Sequence, residues 1–193
     1  ERIASDVEIL RVAIESHRNL GIKKFQINLG EIGYFAGIVD RIKFSPEDLI
    51  KIRNLIDLKD LAGLQSELER LNLSERRRQI LLSLVHLTGG QEIIRAARQL
   101  VSNEHSHLAI DHLAGIYAEL KKHKIDQYIT IDLSEVRGME YYTGTIFKIY
   151  VPNLGFEIGG GGRYDNLLKN FGCDYAAVGF SFSLERLMSL EKL

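Results

Sequence analysis

The chain holds one cysteine, Cys173, in 193 residues, which excludes an internal disulfide and any cysteine-rich zinc site and fits a reducing compartment. An excess of charge of either sign is lacking too. With 25 Lys and Arg against 26 Asp and Glu, the summed field exerts no long-range pull on nucleic acid or an anionic membrane. No apolar run approaches the roughly 18–20 residues of a bilayer span, and the N-terminus has neither the basic start nor the apolar stretch of a signal peptide. No membrane partner is expected, and the expected location is cytoplasmic. A Gly-x-x-x-x-Gly-Lys-Ser/Thr phosphate loop is missing, as is the full glycine fingerprint of a dinucleotide site. What is there, 45% hydrophobic and 26% charged residues, suffices for one full core and a small second lobe. The chain opens at Glu1 without an initiator Met and is read as part of a longer protein.

Ser5 followed by Glu8 forms a capping-box pattern, and Val7, Leu10, Ala13 and Ile14 recur at helical spacing until Gly21 supplies a stop. Residues 24–29 alternate polar and apolar in period two and end at Gly30, as a half-buried strand would. From Ser45-Pro46-Glu47-Asp48, a helix start with Pro at the first position, strand signals vanish for some eighty residues. Repeated Leu and Ile spacings there (Leu49, Ile52, Leu55; Leu61, Leu64, Leu68; Leu113, Ile116, Leu120) predict short amphipathic helices. Strand character returns at Tyr128–Leu133, Thr145–Val151 and Phe156–Gly159, the last two joined by Pro152-Asn153-Leu154-Gly155 as a hairpin. Ala176–Phe182 reads as a further strand, passing directly into an amphipathic helix over 183–193. The expected class is α/β (α+β), a mostly antiparallel sheet with flanking helices. Its expected divisions are 1–43 as the first part of the core, 44–124 as a helical insertion and 125–193 as the second part of the core.

Three clusters carry candidate chemistry. Arg137 to Gly144 puts a cation, the Glu140 carboxylate and two phenols, Tyr141 and Tyr142, within eight residues. That set suits a small polar ligand, with Arg for a carboxylate or phosphate and Tyr for orientation, and it equally suits a strand edge with aromatic core residues and a surface salt bridge. Gly159-Gly160-Gly161-Gly162-Arg163-Tyr164-Asp165 weakens its own strand unless a ligand or another backbone comes close, or marks a bulge or tight bend. Val178–Leu187, with Glu185 and Arg186, reads alone as core packing beside a solvated helix face. His105-x-His107 lacks a convergent Cys or Asp, so no metal site is expected. Glu75-Arg76-Arg77-Arg78 suits either a phosphate or partner contact or an exposed helix face.

In this order and at this spacing, the three clusters resemble the histidyl-tRNA synthetase family. Arg137–Thr143 resembles its second histidine signature, Arg-Gly-Leu-Asp-Tyr-Tyr-Thr. Gly160–Asp165 is similar to its Gly-Gly-Gly-Arg-Tyr-Asp segment, and Ala177–Leu187 is similar to class II motif 3. The resemblance implies part of a class II synthetase-like antiparallel sheet with an all-helical insertion. It implies that Tyr142 and Tyr164 line a histidine pocket together with Glu140, Tyr141, Gly160 and Gly161. Arg137 would take the place of the arginine that handles the substrate's carboxylate and phosphate oxygens, and Arg186 that of the arginine that stacks on adenine.

Departures from the pattern bear on function. Glu140 replaces the family's Asp, and Ser183 replaces a motif 3 glycine, where a side chain intrudes on a nucleotide's seat. Motif 2, with its ATP-gripping arginine, has no counterpart here. These features resemble a paralogous family, the synthetase-like regulatory subunit of ATP phosphoribosyltransferase, as do Tyr150–Gly155 and Tyr164–Leu168 leading to Phe171-Gly172. That resemblance implies a subunit of histidine biosynthesis without catalytic residues or cofactor of its own. It would bind histidine and join a short-form catalytic subunit, as a homodimer within a hetero-oligomer. The alternative is a fragment of a synthetase catalytic core, for which tRNA would be the partner.

Overall fold

The computed structural model describes residues 2–136 and 141–190. Its six-stranded sheet runs in the order β2-β3-β1-β4-β5-β6. The central strand β1 (Gln26–Glu31) buries Ile27 and Leu29, pairs antiparallel with β4 (Thr145–Tyr150) and parallel with β3 (Ile129–Asp132). The parallel pair follows from the chain path, because nearly a hundred residues, mostly helical, separate β1 from β3, ample for a crossover. β5 (Glu157–Arg163) continues antiparallel from β4, and β6 (Val178–Phe182) closes the order. The expected hairpin is β4–β5, with Asn153 of its turn at φ 71°.

Helix α1 (Arg2–Asn19) buries Val7, Leu10, Ala13 and Ile14, as their spacing predicts, and gives way to Gly21 at φ +78°. Fully burying a side chain such as Leu10 contributes roughly 1.5–3 kcal/mol. Ser5 does not cap this helix. It lies inside it, its Oγ donating to the Arg2 carbonyl at 2.9 Å, because the helix is already under way at Arg2. β1 extends past the expected stop at Gly30 to Glu31, whose carboxylate accepts from Gly33 N at 3.4 Å and caps α2 (Ile32–Val39). Periodicity gave no sign of α2, because its sequence is apolar on every side; such a helix belongs inside a core, and Tyr34, Phe35, Ile38 and Val39 are all buried.

Helices α3 (Pro46–Asp57), α4 (Leu61–Arg70), α5 (Glu75–Leu84), α6 (Glu92–Leu100) and α7 (Glu104–Lys122) follow. Ser45 accepts from Asp48 N and places Pro46 at the first helical position, as predicted. The region is not wholly without strand: Thr88–Gly89 forms β2 against β3, two residues being too few to leave a period. Ile52, Ile56, Leu64, Leu68, Leu81 and Leu84 of these helices share one apolar cluster with the sheet and α1. α7 packs on α1, α2 and β1. Gly37 permits its approach, since a Cβ there would stand 2.5 Å from Ser106 Oγ. α8 (Leu184–Leu190) leads out of β6. Among the described residues, no helix is long and apolar enough to cross a membrane.

Candidate functional site

The glycine run lies within β5, between β4 and β6. What approaches it is backbone on both sides. A Cβ on Gly161 would sit 2.2 Å from the Gly179 carbonyl oxygen and 2.5 Å from Phe180 Cβ; one on Gly160 would sit 2.8 Å from the Phe147 carbonyl. Real Cβ atoms do not occupy such positions, so the neighbouring strands alone require glycine here. The wall that results is flat and bare on the cleft side.

A cleft of about 360 Å³ opens over this wall, lined by Tyr141, Tyr142, Lys148, Gly160, Gly161, Glu157, Ser183 and Arg186, among others. Tyr141 and Tyr142 stand 4.8 Å apart between ring centroids, and Tyr164 lies edge-on to Tyr141 at 5.8 Å and tilted to Tyr142 at 6.4 Å. Three phenols from two segments thus meet at the end of β5. Burial pushes the Tyr142 hydroxyl well above its ordinary range, keeping it a neutral donor and acceptor. The described site residues Tyr141, Tyr142, Gly160, Gly161 and Tyr164 are therefore neighbours. Arg137 and Glu140 lie outside the described residues.

The charges in the cleft are already engaged. Lys148 Nζ lies 2.5 Å from Glu135 Oε2 and 3.1 Å from Asp57 Oδ1. Burial disfavours its charge, but those two carboxylates outweigh burial and raise its pKa. Arg186 donates to the Glu157 carbonyl and to its Oε1 at 2.7 Å, and its guanidinium lies 5.0 Å over the Phe156 ring. The residue matching the adenine-stacking arginine thus stacks on a ring of its own chain. The cleft offers phenols, serine hydroxyls and aromatic faces that can orient a small polar ligand. Lys148 and Glu157 were not anticipated; a lone lysine amid Ile-Phe-Lys-Ile-Tyr was the available sign. A larger groove of about 770 Å³, lined largely by aliphatic residues such as Leu20, Ile22, Leu187 and Met188, brings none of these groups together.

Behind the cleft lies a second polar cluster, buried in the core. Arg163, next to Tyr164, donates from Nε to Asp6 Oδ1 at 3.0 Å and from Nη1 to Asp165 Oδ1 at 2.9 Å. Asp6 Oδ2 is 3.0 Å from His112 Nε2, and His112 Nδ1 is 3.0 Å from Glu31 Oε2, which also accepts from Thr145 Oγ1 at 3.3 Å. Burial works against a charged His112, but Asp6 and Glu31 outweigh it and raise its pKa to about 9. His105 faces Asp40 at 3.3 Å and His107 Nε2 lies 3.0 Å from the Val101 carbonyl. Among the described residues, no group of three His, Cys, Asp or Glu side chains is arranged to hold a metal ion.

Comparison with known proteins follows the same lines. A family model described as histidyl-tRNA synthetase matches residues 1–187. The ATP phosphoribosyltransferase regulatory subunit of Halothermothrix orenii is 33% identical over 184 residues, covering 95% of this chain and 44% of that protein. That of Clostridium botulinum strain 657 is 36% identical over 188 residues, covering 96% and 44%. A crystal structure from Bacillus halodurans, described as an ATP phosphoribosyltransferase regulatory subunit/histidyl-tRNA synthetase, matches with a TM-score of 0.89 at 28% identity, over 97% of this chain and 49% of that one. The chain spans a little under half the length of these relatives. A class II synthetase-like sheet, the paired tyrosines beside the glycine strand and a family match running from the first residue to α8 agree, and the chain belongs to the histidyl-tRNA synthetase family.

Proposed function

We propose that this chain is the pocket-bearing part of a regulatory subunit of ATP phosphoribosyltransferase that binds histidine and performs no catalysis itself. In this reading Tyr141, Tyr142 and Tyr164 orient the imidazole, Gly160 and Gly161 form the wall against which it lies, and Arg137 with Glu140 handles the amino acid's charged groups. The observation that carries it is an asymmetry in the cleft. Its amino-acid end presents phenols over bare glycine, while Arg186, at the nucleotide end, is occupied by Glu157 and Phe156. The names of the relatives support the same reading.

The partner proposed is a short-form catalytic subunit, joined by a homodimer of the regulatory chain in the first step of histidine biosynthesis in the cytoplasm, with 44–124 as an insertion on the synthetase-like core. Histidine would stabilise one arrangement of the pocket, and that arrangement would bias the assembly by linkage. Isothermal titration calorimetry of the full-length protein tests this. Saturable histidine binding, without binding of ATP with magnesium, is the expected result, and histidine affinity should change when the catalytic subunit is saturating. Unchanged affinity would remove the regulatory coupling. Tight ATP binding with histidine-dependent pyrophosphate exchange would instead favour a synthetase core acting on tRNA, the reading that the family model's own description favours.

A further inference from the structure

The basic run at the start of α5 is divided by the fold. Arg78 turns back to Glu75, and Gln79 also donates to Glu75 at 2.9 Å. Arg76 and Arg77 turn the other way. With Arg41, from the segment after α2, they line a cavity of about 300 Å³ whose remaining walls include Ile38, Ile80 and Ser102.

No acidic residue lines that cavity. Among the described residues, none of the three guanidiniums has a carboxylate partner; Arg77 donates from Nη2 only to the Arg41 carbonyl at 3.1 Å. The acids adjacent in sequence are committed elsewhere, Asp40 beside His105 and Glu75 to Arg78 and Gln79. Arg41, Arg76 and Arg77 are exposed; three cations sharing one concavity repel one another, and a bound anion relieves that repulsion.

We infer that this cavity is a binding site for a small phosphorylated anion, a phosphomonoester or diphosphate, separate from the tyrosine cleft. Guanidinium forks match phosphate oxygens two at a time, and the volume lies at the lower end of the roughly 300–1,000 Å³ of small-molecule sites, which suits a compact ligand over a polymer. The walls come from three places: Ile38 in α2 and Arg41 just after it, α5, and the α6–α7 link, where Asn103 accepts from Ser106 N and caps α7. A bound anion therefore ties the helical region to the helices that pack on the sheet.

The test is calorimetry on the full-length protein at constant ionic strength, with sodium pyrophosphate and ribose 5-phosphate as probes. Exposed Arg95 serves as the control for loss of a surface charge. The expected result is saturable binding of at least one probe by the wild type and Arg95→Ala, weakened about tenfold or more in Arg76→Ala/Arg77→Ala, with thermal melting and histidine binding unchanged in the double variant. Two results would overturn the site: no saturable heat at millimolar probe, or equal binding by the double variant, which is ion screening only. An oligoglutamate peptide that binds through the same arginines where neither probe does would also overturn it, transferring the surface to a protein partner.

Discussion

The polar clusters on either side of β5 differ in what they leave available. Behind the strand, Arg163, Asp6, His112 and Glu31 engage one another in a largely buried cluster, joining α1, β1, α7 and β5 from positions far apart in the chain. Over the strand, Tyr141, Tyr142 and Tyr164 come from two nearby segments and meet ring to ring, Tyr141 and Tyr142 lining a cleft, while the charged side chains around them pair off. Adjacent residues, Arg163 and Tyr164, face these two duties. The difference teaches that β5 is fixed by its charged side so that its aromatic side can stay open, which substitutions on either side can test.

The largest effect is expected on the buried side. Asp6→Ala strips Arg163 and His112 of their shared carboxylate, leaving Arg163 to Asp165 and His112 to Glu31 alone. Urea denaturation should show a loss of roughly 3 kcal/mol, the low end for breaking a buried pair. Titration probes the same cluster without mutation. The folded pKa of His112 is raised to about 9 from an unfolded value near 6.5, so its contribution is complete below about pH 6.5 and is lost as pH rises through about 9. With its side chain 14% exposed, a loss of up to about 2–3 kcal/mol across that window is expected, and His112→Gln should flatten it. His17 works in the opposite sense: burial against Phe25 and Phe182 lowers its pKa, so its contribution is present at neutral pH and falls away in acid.

On the open side, opposite the cleft residue Lys148, Gly160→Ala drives a Cβ into the Phe147 carbonyl. Overpacking of this kind costs about 1–3 kcal/mol, and, because the wall shifts, histidine binding should weaken about tenfold or more. Gly155, in the β4–β5 turn, has open space where its Cβ would go; Gly155→Ala should change stability by less than about 0.5 kcal/mol and leave binding intact.

Legibility in the sequence followed the same division. The cleft could be read because its signature is local: Tyr141, Tyr142 and the glycines lie within short motifs, with strand-forming residues at Thr145–Tyr150 and Val178–Phe182 on either side. The buried cluster could not, because nothing in residues 6, 31, 112 and 163 taken singly separates them from surface charges; only the parallel crossover from β1 to β3 through α7 brings them together. Helix α2 escaped notice for a related reason, since a helix buried on all sides shows no period. The glycine run was legible as a place of close approach, but that the approaching groups are β4 and β6 depended on sheet order, which the sequence leaves open.

The sharpest functional effect, at a small cost in stability, is expected at Glu157. Its pair with Arg186 is about two-fifths exposed on both sides, so Glu157→Ala should cost less than about 1 kcal/mol. The nucleotide end of the cleft is where the change should register. With the carboxylate gone, Arg186 keeps only the backbone carbonyl and the Phe156 ring as partners and becomes free to meet an incoming purine. Calorimetry should show ATP binding strengthened several-fold in Glu157→Ala, with histidine affinity unchanged. If ATP still fails to bind, the block lies in the side chain of Ser183, and Glu157→Ala/Ser183→Gly separates the two causes: recovery only in the double variant would mean that the occupied arginine and the filled seat act together.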